Sequence, residues 1–564
     1  MLKEIRAFLR RIGANALILP HNDSYFNDQL RPEDERLAYV TGFTGSAGVA
    51  IITPRQAVLF VDGRYTEQAK KQTKFKVLQV PRQATVSDWL MRFLRPNYIV
   101  AYDPWQVSVA QLDKWAELFT KRGARLMPTA SNPIDKFWLT RPVPKPIKIY
   151  DYPVQFSGKT TTQKLALRRR FFKQNDIDAF VLTNADTVSW LLNKRSDAVM
   201  FNPVYLDRLL IYPKGKPVSF NEKTLTDLKG KVVGIDVYET PVKIKQMLIE
   251  AGASLHYVRN PFALAQSIKN NIEVTGIQTA AILDSIAVCR HLAWLQGQVK
   301  DHNEYDICAH LEQLRQQNPA YVCNSFADIS AVGKNAALPH YQASSTMHTK
   351  LSKAPIYLLD TGGQYLYGTT DMTRTVATGE VSALMKRRYT QVLKGHIALA
   401  RASFPAGISG ANLDVLARQF LWAEGLDFDH GTGHGIGCFL NVHEAPPSIS
   451  PYAREALQEN MIISNEPGFY AAGKFGIRIE NMMRVVRDKS KKGRFLKFET
   501  LTFVPFCDEL IERELLTQEE QEWIAAYYVQ ILRAVYSKVE RETQLWLTQQ
   551  MKRWIKVEKV ISTC

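Results

Sequence analysis

Three short apolar runs in the second half of this chain each end on an acid, and that pattern restricts the fold more than any other feature. Ile356-Tyr357-Leu358-Leu359 stops at Asp360, Ile462-Ile463-Ser464-Asn465 at Glu466, and Gly476-Ile477-Arg478-Ile479 at Glu480. Runs of this length and composition predict buried strands, each delivering a carboxylate at its end. A fourth acid, Asp371, lies eleven residues after Asp360 in Gly368-Thr369-Thr370-Asp371-Met372-Thr373-Arg374-Thr375. With Thr361-Gly362-Gly363 as turn residues between them, the two acids are expected on one hairpin. His434 sits in His430-Gly431-Thr432-Gly433-His434-Gly435-Ile436-Gly437, where missing side chains predict close approach of backbone to a ligand.

Crowded together without a counter-charge, four carboxylates would repel and raise one another's pKa. Two divalent cations bring four positive charges against four negative ones and resolve the conflict. Asp360, Asp371, His434, Glu466 and Glu480 thus form a candidate ligand set for a two-metal hydrolase. One imidazole among carboxylates suits Mn²⁺, Co²⁺ or Zn²⁺, and the oxygen-rich balance favours Mn²⁺.

The strings Leu338-Pro339-His340-Tyr341, Gly368-Thr369-Thr370-Asp371, His430 to Gly435, Asn441-Val442-His443-Glu444 and Asn465-Glu466-Pro467-Gly468 follow one another at characteristic spacing. In that order they resemble the proline-specific pita-bread metallopeptidases, and among these the Xaa-Pro aminopeptidase group. The resemblance spans almost the whole chain. It implies two related N-terminal α/β domains, creatinase-like, followed by an α+β pita-bread catalytic domain. It makes the five residues above the metal ligands, with Asp371 and Glu480 bridging two ions. His340, His430 and His443 then match substrate-binding and catalytic histidines. It also implies a homodimer.

Composition agrees with a globular protein. No uninterrupted apolar run reaches the ~18 residues of a membrane span. The amino-terminal Met1–Arg11 stretch is charged throughout and predicts an amphipathic helix rather than a signal peptide. Cys289, Cys308, Cys323, Cys438, Cys507 and Cys564 form no paired framework, so reduced thiols and a cytoplasmic location are expected. The formal net charge is +17, concentrated in Arg168-Arg169-Arg170, Lys491-Lys492-Gly493-Arg494 and the 551–559 tail. None of these clusters carries a nucleic-acid recognition motif, and solvated basic faces are the simpler reading.

Residues 1–150 alternate helix and strand signals, with core strands at 14–20, 48–53 and 57–62; Gly42–Gly48 lacks a P-loop's Lys-Ser/Thr and predicts a hairpin turn. Pro133, Pro142, Pro144, Pro146 and Pro153 stiffen a connector. Residues 154–260 repeat the first pattern in diverged form. Beyond 261 a long helix is expected, with an apolar stripe through Ile277, Ala280, Leu283 and Ala287 and a wet face at Asn270, Asn271, Glu273 and Gln278. The catalytic region is assigned to 261–510 and a helical extension to 511–564.

An X-Pro amide has no N–H and fixes the chain at the ring. A peptidase for that bond needs a shaped pocket and a nucleophile that requires no substrate N–H. A hydroxide bridging two ions supplies it, while the substrate's free amino terminus on one ion limits attack to the first bond. His443 is the expected oxyanion donor, and Glu466 the carrier of the proton to the leaving nitrogen. Tyr470, four residues on, is a candidate relay. Arg478, two residues before Glu480, is expected to fix a carboxylate by a charge-assisted fork. His340 and His430 shape the proline side. A prolidase restricted to dipeptides is the nearest alternative, and length with the duplicated front half favours the aminopeptidase. A non-catalytic binding module would be expected to have lost ligands, and all five are present.

Overall fold

The computed structural model describes residues 1–298, 300 and 302–562. They divide into two compact units, one comprising Met1–Val154 with Lys159–Ala263, the other Gln155–Gly158 with everything from Leu264 onward.

The first unit holds two sheets built on one plan. In the six-stranded sheet, Ala16–Pro20 is central and every residue of it is buried, which is why it reads as an unbroken apolar run. It pairs antiparallel with Val49–Ile52, Ile18 opposite Ile51, and parallel with Ile99–Tyr102. In the five-stranded sheet, Ala179–Leu182 takes the same place. It runs antiparallel to Leu209–Ile211 and parallel to Val232–Ile235. The repeat suspected in the sequence is therefore a repeat of topology. Helix Val109–Lys121 joins the two, its first N–H groups donating to Thr240 and Val237 carbonyls at 3.0 and 2.9 Å. The Pro-rich connector has no regular structure over 141–148 and ends in Ile149–Asp151, paired with Lys194–Ser196.

Gly42–Gly48 is not a hairpin turn. Gly42, at φ +77°, caps helix Arg36–Thr41, and the segment runs from that helix into strand Val49–Ile52.

In the second unit, helix Asn271–Gln298 is apolar on most of its circumference rather than along one stripe. Glu273, assigned to a wet face, is buried at 3% exposure and accepts from the backbone and side chain of Asn270. The stretch 271–297 is long and apolar enough to pass for a membrane span by composition, although 56% of its 18-residue apolar window is buried inside the protein. Burial on several sides explains both its composition and the failure of a one-stripe reading.

Around this helix lie a three-stranded sheet, Ile329–Val332, Ile356–Thr361 and Met372–Ala377, and a six-stranded one. The latter includes Gly433–Gly435, Ile462–Asn465 and Asn481–Arg487. Helices Gln518–Val535, Arg541–Met551 and Val557–Ile561 follow. Ile524, Tyr527, Tyr528, Leu547 and Val557 enter the same core as Leu292, Leu359 and Ile479, so these helices cover the strands rather than trail from them. Among the described residues five cysteines are free thiols; Cys564 lies outside them.

Candidate metal centre

Asp360 lies in Ile356–Thr361 and Asp371 immediately precedes Met372–Ala377. These strands pair antiparallel with Asp360 opposite Thr373, so the expected two-acid hairpin is present. Its turn is elsewhere, at Leu366-Tyr367, between Gly363–Tyr365 and Gly368–Thr369. Gly362 serves a different need. A Cβ there would lie 2.1 Å from the Thr370 carbonyl oxygen and 2.3 Å from Ser325 Oγ.

The glycines beside His434 are also explained by packing. A Cβ on Gly433 would meet the Ser464 carbonyl at 2.0 Å, and one on Gly435 the Glu444 carbonyl at 2.4 Å. They let neighbouring strands close on the histidine strand, and the close approach is to protein backbone rather than to a ligand. His434 Nδ1 faces the Gly435 carbonyl at 2.9 Å, which requires Nδ1–H to donate. Its Nε2 is then directed at Asp371 Oδ2 and Glu466 Oε1, 3.3 and 3.4 Å away.

Ligand atoms of Asp371, His434 and Glu480 lie within 4.8 Å of one another. Glu466 joins them through His434, and Thr373 Oγ1 donates to Glu480 Oε2 at 2.8 Å. Asp360 is tied in by Arg478, whose Nη2 and Nε reach its Oδ2 at 2.6 and 3.1 Å. The carboxylate that Arg478 was expected to fix is thus Asp360, held through a single oxygen. Asp360 Oδ1 is left buried without a hydrogen-bond partner. Burying such an oxygen is costly unless something binds it.

The electrostatics record the same crowding. Burial, then Asp371 and Glu466, push Asp360 up to about 7 against the pull of Arg478. Burial and the neighbouring carboxylates hold Glu480 well above the ordinary range, and burial raises Glu466 despite His434. Burial opposes a charge on His434, yet its bond to Asp371 and the charge of Glu466 carry it up to about 9. Four acids sharing one buried space need cations, and a histidine whose other nitrogen is fixed on a backbone carbonyl is oriented to ligate. The donor set fits divalent metal.

The surrounding residues form one chain. Arg478 Nη1 donates to Tyr470 OH at 2.6 Å, and Tyr470 OH lies 2.8 Å from His430 Nε2. His430 Nδ1 faces the Gly431 carbonyl at 2.7 Å, so Nδ1 carries a proton, and in that Nδ1–H tautomer Nε2 accepts from the tyrosine. Burial pushes the Tyr470 phenol up to about 12, keeping it a donor. Arg478 Nη2 also holds the Pro339 carbonyl, next to His340, at 3.1 Å. His443 is exposed, with its ring 4.5 Å from that of His434.

Three supporting residues escape a sequence reading. Arg374, fully buried, donates to the carbonyls of Thr373, Glu480, Val504 and Pro505, to Asn481 Oδ1 and to Tyr527 OH. His396 lies against the Asn465 carbonyl and Asn481 Nδ2, beside two of the acids, and burial pulls it down to about 3, hence neutral. Glu304 accepts from Val332 N, Thr349 N, Asn335 Nδ2 and Tyr341 OH, pinning both ends of the segment that carries His340. All three act across long sequence separations, and no local pattern marks them.

The chain is similar to known metallopeptidases. Residues 275–487 match the metallopeptidase family M24, and 494–554 match its C-terminal region. Residues 1–137 and 140–226 each match a creatinase/prolidase N-terminal domain. A probable Xaa-Pro aminopeptidase P of Talaromyces marneffei is 34% identical over 98% of this chain and 92% of its own. The X-prolyl aminopeptidase of Caenorhabditis elegans, described as a cytosolic enzyme with a di-nuclear active site, superposes with a TM-score of 0.91. It is 31% identical and covers 97% of this chain and 98% of its own. A prolidase from Thermococcus sibiricus, 24% identical over 62% of this chain at a TM-score of 0.51, shares the fold. The chain belongs to the metallopeptidase family M24, in its Xaa-Pro aminopeptidase P branch.

Proposed function

We propose that this protein is a dinuclear metal-dependent aminopeptidase releasing the first residue from peptides with proline in second position. The carrying observation is the convergence of Asp371, His434 and Glu480, with Glu466 and Asp360 joined to them, beside an exposed His443. Two divalent cations held by those five residues would supply Lewis acidity and a water activated at neutral pH. Their oxygen-rich set favours Mn²⁺, with Co²⁺ and Zn²⁺ as alternatives.

The protein's own groups account for the remaining steps. His443, exposed beside these residues, donates to the oxyanion that develops at the scissile carbonyl. Glu466 Oε2, 3.8 Å from His430 Nδ1, carries the proton from water to the proline nitrogen, which leaves poorly without it. His340 and His430 line the proline side, positioned through Pro339 and Tyr470 by the one guanidinium of Arg478. Tyr470 is the relay candidate because it is bonded at once to Arg478 and His430.

The same reading places domain boundaries near residues 150, 260 and 510, and pairs the chain as a homodimer. The description of the nematode enzyme as cytosolic supports a cytoplasmic location. No nucleic acid or membrane partner is assigned.

The test uses metal-stripped protein with and without Mn²⁺, offered an X-Pro-X tripeptide, its X-Ala counterpart and an X-Pro dipeptide. Mn²⁺-dependent release of the first residue from the X-Pro tripeptide alone is expected. Cleavage of the dipeptide only would make the protein a prolidase, and silence on all three would leave a binding module.

A further inference from the structure

Phe439 is fully buried and holds φ at +51°, a left-handed conformation that a bulky side chain adopts only when its surroundings impose it. It lies in the loop that runs from Gly437 to His443. That loop is closed at its ends, Gly437 N to the Asn441 carbonyl at 3.0 Å and His443 N to Asn441 Oδ1 at 3.1 Å. What fixes its middle comes from another part of the chain.

Leu440 N donates to Thr369 Oγ1 at 3.3 Å, and Gln364 Nε2 donates to the Leu440 carbonyl at 2.8 Å. Thr369 Oγ1 lies 2.8 Å from Gln364 Oε1 and 3.1 Å from the Leu440 carbonyl. A hydroxyl has one proton. With the Leu440 carbonyl already served by the amide, that proton goes to Gln364 Oε1. The result is a closed ring: Leu440 N–H to Thr369, Thr369 to Gln364, Gln364 back to Leu440. Turning the Gln364 amide over would set its oxygen against a carbonyl, so the ring also fixes the amide's orientation. Gln364 and Thr369 are both fully buried.

The hairpin that bears this pair is itself anchored. Thr370 Oγ1 and Tyr365 OH both donate to Asp284, at 2.9 and 3.0 Å, and Arg315 Nε reaches the same carboxylate at 2.7 Å. Asp371 follows Thr370 directly. One rigid hairpin therefore sets the position of a metal-ligand acid and, through Leu440, that of the His443 loop.

We propose that Gln364 and Thr369 are positioning residues for His443, holding its loop in register with Asp371. The inference rests on the reading of His443 as the oxyanion donor. Such a donor acts only over a narrow distance, and a displacement of about 1 Å can cost on the order of 100-fold in rate.

The test combines Gln364→Met, which keeps volume and removes both polar groups, with Thr369→Val as an independent variant. Two readouts are taken on full-length, Mn²⁺-loaded protein of checked metal content. Hydrogen exchange of the 436–443 segment is expected to speed up by about tenfold or more in each variant. The kcat for an X-Pro-X tripeptide is expected to fall about 10- to 100-fold with KM nearly unchanged. In a His443→Ala background the same substitutions are expected to cost less than about threefold, because a residue acting through His443 has nothing left to position. Equal losses in both backgrounds, or unchanged exchange in 436–443, would overturn the proposal. Should the wild-type protein cleave no X-Pro peptide, the functional reading fails, while the exchange result still decides whether the pair holds the loop.

Discussion

Replacing Arg478 by lysine asks whether this site needs a positive charge or a particular geometry. Arg478 is 2% exposed and reaches four groups: Asp360, Thr373, Tyr470 and the Pro339 carbonyl. A lysine ammonium left on Asp360 keeps the charge but cannot span the rest. Thr373 Oγ1 retains Glu480 and Tyr470 OH retains His430. The main losses are the Pro339 carbonyl bond and the link through Tyr470. A buried acceptor deprived of its donor costs about 1–3 kcal/mol, and the tyrosine link about 1 kcal/mol more. If the whole of that, about 2–4 kcal/mol, is missing from the transition state, kcat/KM for an X-Pro-X tripeptide falls about 30- to 1000-fold. The assay is steady-state hydrolysis at saturating Mn²⁺, with bound metal measured in parallel. Full metal occupancy with kcat/KM within threefold of wild type would refute the argument, because charge alone would then suffice.

Asp371→Asn should abolish turnover while leaving the thermal transition within a few degrees of wild type, since it removes a ligand without removing volume; surviving activity would exclude Asp371 from the centre. His443→Ala should lower kcat about 10²- to 10³-fold with bound metal unchanged, as loss of one oxyanion donor does, and an unaltered kcat moves that role elsewhere. In the first unit, burial and then Asp236 raise Glu239 to about 7. The folded protein thus holds a proton there that the unfolded chain releases near pH 4.5, so stability is present below that pH and is lost as pH rises through 7. Glu239→Gln should therefore stabilise that unit at pH 8 by about 1–3 kcal/mol and have no effect at pH 4, read from urea midpoints at the two pH values. Equal midpoint shifts at both would contradict it.

The acids that converge here were legible as candidates because an apolar run that stops at a carboxylate shows in a few consecutive residues. Helix Asn271–Gln298 was legible in existence but not in orientation. It is enclosed on several sides: Ile277 is buried as its stripe requires, but Glu273, on the face expected to be wet, is buried too. Gly433 and Gly435 were seen, but their reason was not, since the backbone they admit belongs to Ser464 and Glu444. Gly42–Gly48 misled because a C-capping glycine and a hairpin glycine require the same left-handed φ. Arg374, His396 and Glu304 carried no signal at all. A buried polar residue is defined by its acceptors, and these lie far off in sequence.

That distance has a consequence for how the protein is made. Arg374 donates to the Val504 carbonyl and to Tyr527 OH, 130 and 153 residues further along. At a translation rate of about 5–20 residues per second, the interval between those points is on the order of 8–30 s. Throughout it, the segment bearing Asp360 and Asp371 has left the ribosome without the groups that fix Glu480 beside it. An emerging chain in the cell would thus hold no assembled peptidase centre near its own new amino terminus, or its neighbours', until helix Gln518–Val535 was synthesised.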